Sequence, residues 1–229
     1  MDHHSISSRQ FCVLSGLSGA VGVVLLIVSF AINNGPPPDP SSAELVKFGQ
    51  QHFANILWGA WLQAVGPVLI VLFAFALVHL AGATLHLAGW MTFFGATILM
   101  TVSLIEITFY ISAMNPNPSM MPSISLRLIY AAQHLYFIVA APTLFLPLGI
   151  VLVSSRILPR LFGHLALILA ACFATLGVVF LLHLALPGLV TAFAGVQALW
   201  WLAAAITLIV RSGEIPNSVN HHVVASKGT

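Results

Sequence analysis

Charged residues are rare in this chain. Seven Lys and Arg and five Asp and Glu occur among 229 residues, which makes 5% charged residues. Soluble domains usually carry about 25%, so the composition excludes a soluble globular protein. A nucleic-acid partner is excluded as well, because no clustered basic face is present. With 59% hydrophobic residues, the partner that the composition indicates is the lipid bilayer.

The chain also lacks the linear signatures of the common enzyme classes. It has no HExxH, GxSxG or phosphate-loop motif. Lys47 and Lys227 lie outside the apolar runs, so a retinal-binding lysine is excluded. Cys12 and Cys172 both fall in apolar segments and are interpreted as packing residues. The sequence therefore favours a non-enzymatic protein, and we assign no catalytic residue.

Six apolar runs are long enough to cross the hydrocarbon core, which takes about 20 residues of helix. They lie near 11–32, 53–80, 86–112, 128–153, 161–186 and 190–210. The predicted fold class is thus all-α, a polytopic membrane helix bundle with six transmembrane helices in one domain, 11–212. A short N-terminus, 1–10, precedes this domain, and a polar tail, 213–229, is predicted to be disordered.

The first two spans carry signals at their ends. The first apolar run is about 22 residues long, whereas a signal peptide has about 7–15, so we predict a retained membrane helix. Three prolines, Pro36–Pro38, then exclude helix and indicate a rigid exit. Ser41 and Glu44 have the spacing of a capping box, which would let the second helix begin well before its apolar run.

The few basic residues predict the orientation. Five of them fall on one side of a six-span count: Arg9, Arg156, Arg160, Arg211 and Lys227. The other two, Lys47 and Arg127, fall on the opposite side. By the positive-inside rule the first side is cytoplasmic, so both termini are predicted to be cytoplasmic.

Glu106 is the most unusual residue of the chain, because it lies within an apolar span. A charged side chain at the centre of a membrane helix costs about 2.5–3.5 kcal/mol on insertion scales. In the predicted topology Glu106 lies in the outer half of the third span. Tyr110 of the same span and polar side chains of other spans fall at this depth, the latter being His52, Asn55, Gln63, Tyr130, Gln133, His134 and His183.

Two interpretations of this polar level stay open. The carboxyl of Glu106 could make a structural hydrogen bond, and the histidines and amides could serve interfacial contacts or helix packing. Alternatively, Glu106 binds a proton, an ion or a small ligand, in transport or sensing, and is either protonated, paired with His134 or hydrogen-bonded to Tyr110 or Tyr130. The second interpretation is our leading hypothesis.

A haem or metal site is an alternative. His52 and His134 lie on the outer side of spans two and four, and His86 and His164 on the inner side of spans three and five. This placement resembles that of two-haem membrane cytochromes of the b type, in which pairs of imidazoles bind the iron axially. The resemblance implies a membrane electron-transfer protein with haem as its cofactor.

A scaffold or assembly subunit is a third hypothesis. Ser15, Gly19 and Gly22 form a small-residue face on the first span, which suits close helix contact either within the fold or between protomers of a homo-oligomer or with a membrane partner. Pro67 in span two, and Pro142 with Pro147 in span four, predict kinks. Transporters use such discontinuous helices, but kinks also occur in bundles without transport.

Two short motifs carry a family resemblance. They are the run from Gly35 to Glu44, GPPPDPSSAE, and the run from Leu158 to Gly163, LPRLFG, which opens the fifth span. Together with the layout of 11–211, they resemble an uncharacterised family of small six-span bacterial integral membrane proteins, described as a domain of unknown function. The resemblance implies six helices in the bacterial inner (cytoplasmic) membrane. It implies no catalytic or binding residue.

Overall fold

The protein is a bundle of long helices. The computed structural model describes residues 7–33, 41–114, 122–182 and 187–214, and within these ranges all regular structure is helical. Six of the described segments are long and apolar enough to cross a membrane, which confirms the predicted all-α, six-span fold class. The elements are α1 (Ser8–Ile32), α2 (Ser42–Leu80), α3 (Leu87–Ala113), α4 (Pro122–Leu135), a π-helical turn (Tyr136–Ala140), α5 (Ala141–Ser154), α6 (Arg160–Leu181), α7 (Pro187–Val210) and a 3-10 turn (Arg211–Gly213).

The second span begins ahead of its apolar run, at a capping box. The Ser41 hydroxyl accepts a hydrogen bond from the Glu44 backbone N–H at 3.3 Å, and the Ser41 N–H donates to the Glu44 carboxylate at 2.8 Å. With 39 residues at about 1.5 Å each, α2 is longer than the hydrocarbon core is thick and projects beyond it. The proline run before Ser41 and the tail after Glu214 lie outside the described residues.

The small-residue face of α1 packs inside the chain. Ser15 is buried. A Cβ atom on Gly19 would lie 2.5 Å from Cδ1 of Phe73, and one on Gly22 would lie 2.8 Å from the Gly66 carbonyl oxygen, both on α2. The sequence left open whether this face meets the same chain or another protomer. In the structure Gly19 and Gly22 contact the chain's own second span.

Helix α3 runs antiparallel to the fourth span. Near the outer part of this helix pair, the Ser112 and Ser125 hydroxyl oxygens are 3.2 Å apart. Several turns further along both helices, Gly95 of α3 lies against the backbone of Thr143 of the fourth span. Rising numbers on α3 therefore meet falling numbers on the fourth span. We call the end of the bundle that holds Asn33 and Met114 the outer end, after the predicted orientation, and the opposite end the inner end.

The fourth span is composite: α4, the π-helical turn and α5 follow one another without a break. Pro142 explains the change of helix type, since proline lacks an N–H and its ring clashes with the carbonyl four residues before it. A π turn widens the helix at that point. The Thr143 hydroxyl donates to the carbonyls of Val139 (2.6 Å) and Ala140 (3.1 Å). The predicted kink at Pro142 is thus a local π-helical turn.

The core is aromatic and lies toward the inner half. Phe145 packs on Phe173 with ring centroids 6.1 Å apart and on Trp200 at 5.3 Å, while Trp201 meets Phe73 at 6.0 Å. Phe73, Phe145, Phe173, Trp200 and Trp201 are at most 5% exposed. Trp200 and Trp201, near the middle of the last span, are therefore core residues.

Large apolar side chains also cover the outside of the bundle. Phe30, Phe94 and Leu199 are more than 60% exposed. A water-soluble protein rarely exposes contiguous apolar surface of this extent. The bundle is therefore built for contact with lipid, as a multi-pass membrane protein.

Candidate functional site

The Glu106 carboxylate has an amide as its hydrogen-bond partner. Glu106 lies on α3, about two turns from the outer end, and its Oε1 accepts a hydrogen bond from Gln133 Nε2 of α4 at 3.0 Å. The salt bridge seen within the described residues joins Arg211 and Glu214 at the inner end. No described cation therefore pairs with Glu106.

Two of the partners proposed for Glu106, His134 and Tyr130, make other contacts in the structure. The Nδ1 atom of His134 lies 2.6 Å from the backbone carbonyl oxygen of Tyr130, one turn earlier on the same helix. The His134 ring packs edge-on against Phe180 of α6, with centroids 5.4 Å apart. The Tyr130 side chain is 61% exposed. His134 and Tyr130 are thus joined to each other, while Gln133 between them in sequence reaches Glu106.

Tyr110 lies one turn beyond Glu106 on the same side of α3. Its hydroxyl is buried and has no hydrogen-bond partner among the residues that the structure describes. The ring packs beside a small apolar cluster that includes Leu45, Ile56 and Met114. Side chains on a helix lean toward its N-terminus, so Tyr110 leans over the turn that carries Glu106. A buried hydroxyl without a partner costs about 1–3 kcal/mol.

The polar residues of α2 are spread over its surface. His52 is exposed, and its ring lies at an angle of 41° to that of Phe48, with the ring centroids 4.7 Å apart. Asn55 is exposed, and Gln63 is half-buried. His183 lies outside the described residues. Of the predicted outer polar level, the structure thus joins Glu106 to Gln133 by a hydrogen bond.

The histidines proposed as haem ligands are exposed at the surface or contact residues of their own helix. His86 is the residue before α3 and is exposed. His164 is also exposed, and its Nδ1 atom lies 2.8 Å from the carbonyl oxygen of Arg160. In the ranges that the structure describes, no three His, Cys, Asp or Glu side chains gather as a metal site. The haem alternative stays a prediction from sequence.

The structure adds a residue pair that the sequence interpretation missed. The Tyr136 hydroxyl donates a short hydrogen bond to Gln197 Oε1 of α7. A signal for both residues is visible in the sequence. Tyr136 follows Gln133 by three positions, and Gln197 is an amide in an otherwise apolar stretch.

Two hydrogen bonds thus join α3, the fourth span and α7 within about one helical turn. Glu106 meets Gln133, and one turn deeper Tyr136 meets Gln197. Such a group can hold or exchange a proton or a small cation, because it offers one carboxylate among neutral oxygen and amide groups. No family model, curated protein or solved structure matches the chain.

Proposed function

We propose that the protein is a non-enzymatic multi-pass membrane protein that binds a proton or another small ligand of single positive charge at Glu106, for transport or sensing. The observation that supports this is the bond between the Glu106 carboxylate and the neutral amide of Gln133. An amide donor lowers the energy of a carboxylate but does not cancel its charge.

The charge balance narrows the ligand class. A carboxylate at membrane depth must be neutralised, because its desolvation is costly. One carboxylate balances one positive charge, while divalent cations usually bind several carboxylates. A proton or a monovalent cation therefore fits Glu106.

Infrared difference spectroscopy on the full chain in lipid nanodiscs tests the proposal. We expect a protonated-carboxyl band that appears as the pH falls and that is lost in Glu106→Gln. Glu44→Gln is the matched control, because Glu44 is an exposed carboxylate in the first turn of α2, and it should keep the band. A pH titration unchanged by Glu106→Gln contradicts the proposal.

The same titration in sodium and in choline chloride separates the two ligands. If a monovalent cation binds Glu106, sodium shifts the titration to lower pH, because it competes with the proton. If the proton alone binds, the two salts give the same curve.

The membrane, the orientation of the termini and the family are further parts of the same proposal. The protein lies in the bacterial inner membrane with both termini in the cytoplasm and belongs to the uncharacterised six-span family that the sequence resembles. The five-to-two distribution of basic residues supports this orientation. The Gly35–Glu44 and Leu158–Gly163 sequence motifs are what supports the family.

A further inference from the structure

The turn between the fourth span and α6 is held in place at the inner end. Its residues Ile157 and Leu158 are 5% and 2% exposed. The Arg211 guanidinium, from the 3-10 turn after α7, donates from Nη1 to the Ile157 carbonyl oxygen at 3.4 Å. The helices on either side pack closely, since a Cβ atom on Gly163 of α6 would lie 2.6 Å from the backbone nitrogen of Val153. The side chains that leave this turn therefore start from a defined place.

Two arginines of this turn carry charges that no described carboxylate balances. Arg156 and Arg160 are both exposed, and because they are four residues apart, their Cα atoms are at most about 14 Å from each other. The Arg211 charge is balanced by Glu214, whose Oε2 atom lies 3.0 Å from Arg211 Nε. Within the described residues, Glu214 is the acidic side chain of the inner end. Two positive charges, on Arg156 and Arg160, thus remain unbalanced there.

The depth of Arg160 matches that of lipid headgroups. Helix α6 has 22 residues, which span about 33 Å at about 1.5 Å each. The hydrocarbon core of a bilayer is about 30 Å thick. Arg160 is the first residue of α6, so its guanidinium lies where the hydrocarbon core meets the headgroups.

A stripe of exposed apolar side chains begins directly after Arg160. Leu161, Leu165 and Ile168 are 64%, 39% and 57% exposed, and residues three or four apart lie on one side of a helix. His164 is exposed on the same side, and its Nδ1 atom lies 2.8 Å from the Arg160 carbonyl oxygen. This side of α6 therefore offers a cation at headgroup depth and, next to it, apolar side chains within the hydrocarbon core.

We propose that Arg156, Arg160 and the apolar stripe of α6 form a binding site for an anionic phospholipid. Its phosphate lies at the two arginines, and an acyl chain lies along the stripe. Charge complementarity selects this partner, because arginine binds phosphate oxygens through paired N–H groups, while a zwitterionic headgroup brings no net negative charge. The inference is independent of the proposed function, since Glu106 lies toward the opposite end of the bundle.

Native mass spectrometry of the full chain in detergent tests the site. The protein is titrated with phosphatidylglycerol or with phosphatidylcholine of the same acyl chains, and the dissociation constant of the first bound lipid is measured. We expect phosphatidylglycerol to bind more tightly. Arg156→Gln and Arg160→Gln should each weaken its binding about fivefold, and the double variant about 25-fold. Phosphatidylcholine should bind the variants as it binds the parent.

Variants that keep the total charge or the site separate the inference from general effects. Arg127→Gln is the matched control, because Arg127 is an exposed arginine at the outer end, and it should bind phosphatidylglycerol as the parent does. Arg156→Lys/Arg160→Lys keeps both charges at the turn and should keep most of the preference. Both arginines are exposed, so these variants should melt at the temperature of the parent.

Three results would overturn the inference. The first is equal affinity of the parent for the two lipids, and the second is a loss in Arg127→Gln as large as that in Arg156→Gln/Arg160→Gln, which would show that only the total charge matters. The third is displacement of the lipid by excess inorganic phosphate, because a free phosphate has no acyl chain to lie on α6. The infrared titration of Glu106 should be the same in Arg156→Gln/Arg160→Gln as in the parent, so the two proposals are tested separately.

Discussion

Glu106 on α3 and Gln133 on α4 are 27 positions apart in sequence, and their side chains meet at 3.0 Å. The contact joins the carboxylate of Glu106, whose burial in a membrane costs free energy, to the neutral amide of Gln133. Because the pair leaves the negative charge unbalanced within the described residues, a proton or a cation is the natural complement. The prediction on the charge of Glu106 given above follows from this relationship.

Two glycines should respond in opposite ways to a larger side chain. We expect Gly19→Leu to destabilise the protein by about 1–3 kcal/mol, because its Cβ alone would lie 2.5 Å from Phe73. Gly195→Leu is the matched control, since a Cβ there meets nothing within 4 Å. Thermal melting of each variant in detergent, followed by size-exclusion chromatography, measures the difference. Equal melting temperatures for both variants would contradict the packing of α1 on α2.

Ser112 and Ser125 should be linked by a disulfide when both become cysteine. Their hydroxyl oxygens are 3.2 Å apart, close enough for two cysteines to be bridged after a small adjustment. In a chain with Cys12→Ala and Cys172→Ala, mild oxidation should convert most of the Ser112→Cys/Ser125→Cys protein to the bridged form, seen as a mobility shift on a non-reducing gel. The pair Ser112→Cys/Ser154→Cys, at opposite ends of the bundle, should remain reduced. Bridging of that control pair would contradict the antiparallel arrangement.

Single cysteines at the two ends should reveal the orientation. Ala43→Cys lies in the exposed first turn of α2 at the outer end, and Gly213→Cys lies in the exposed turn after α7 at the inner end. In intact cells, a membrane-impermeant maleimide should label Ala43→Cys directly and Gly213→Cys after the cytoplasmic membrane has been permeabilised. The reverse pattern would show that the termini face outward and that the positive-inside prediction is wrong.

Local signals in the sequence were sufficient for several features. The apolar runs predicted six spans, and Ser41 with Glu44 predicted the cap that starts α2, because both depend on residues close in the chain. Pro142 predicted an irregularity in the fourth span for the same reason. Its form as a π turn was not predictable, because a proline can also produce a simple kink in a helix.

Contacts between helices needed the structure. The sequence predicted that Glu106 lies among polar side chains, yet its proposed partners included His134, Tyr110 and Tyr130 rather than Gln133. Adjacent positions on a helix differ by about 100° in direction, so Gln133 and His134 point to different neighbours although they share a depth. The rotation of each helix fixes which of them faces α3.

The sequence by itself thus determined the membrane class, the number of spans and the depth of Glu106, because these depend on composition and on position along each helix. The tertiary structure decided which helices are neighbours and how each is rotated. It thereby joined Gln133 to Glu106, brought Tyr136 to Gln197, and placed Trp200 and Trp201 in the core. Side-chain partners across helices depend on packing over the whole bundle, which no short stretch of sequence contains.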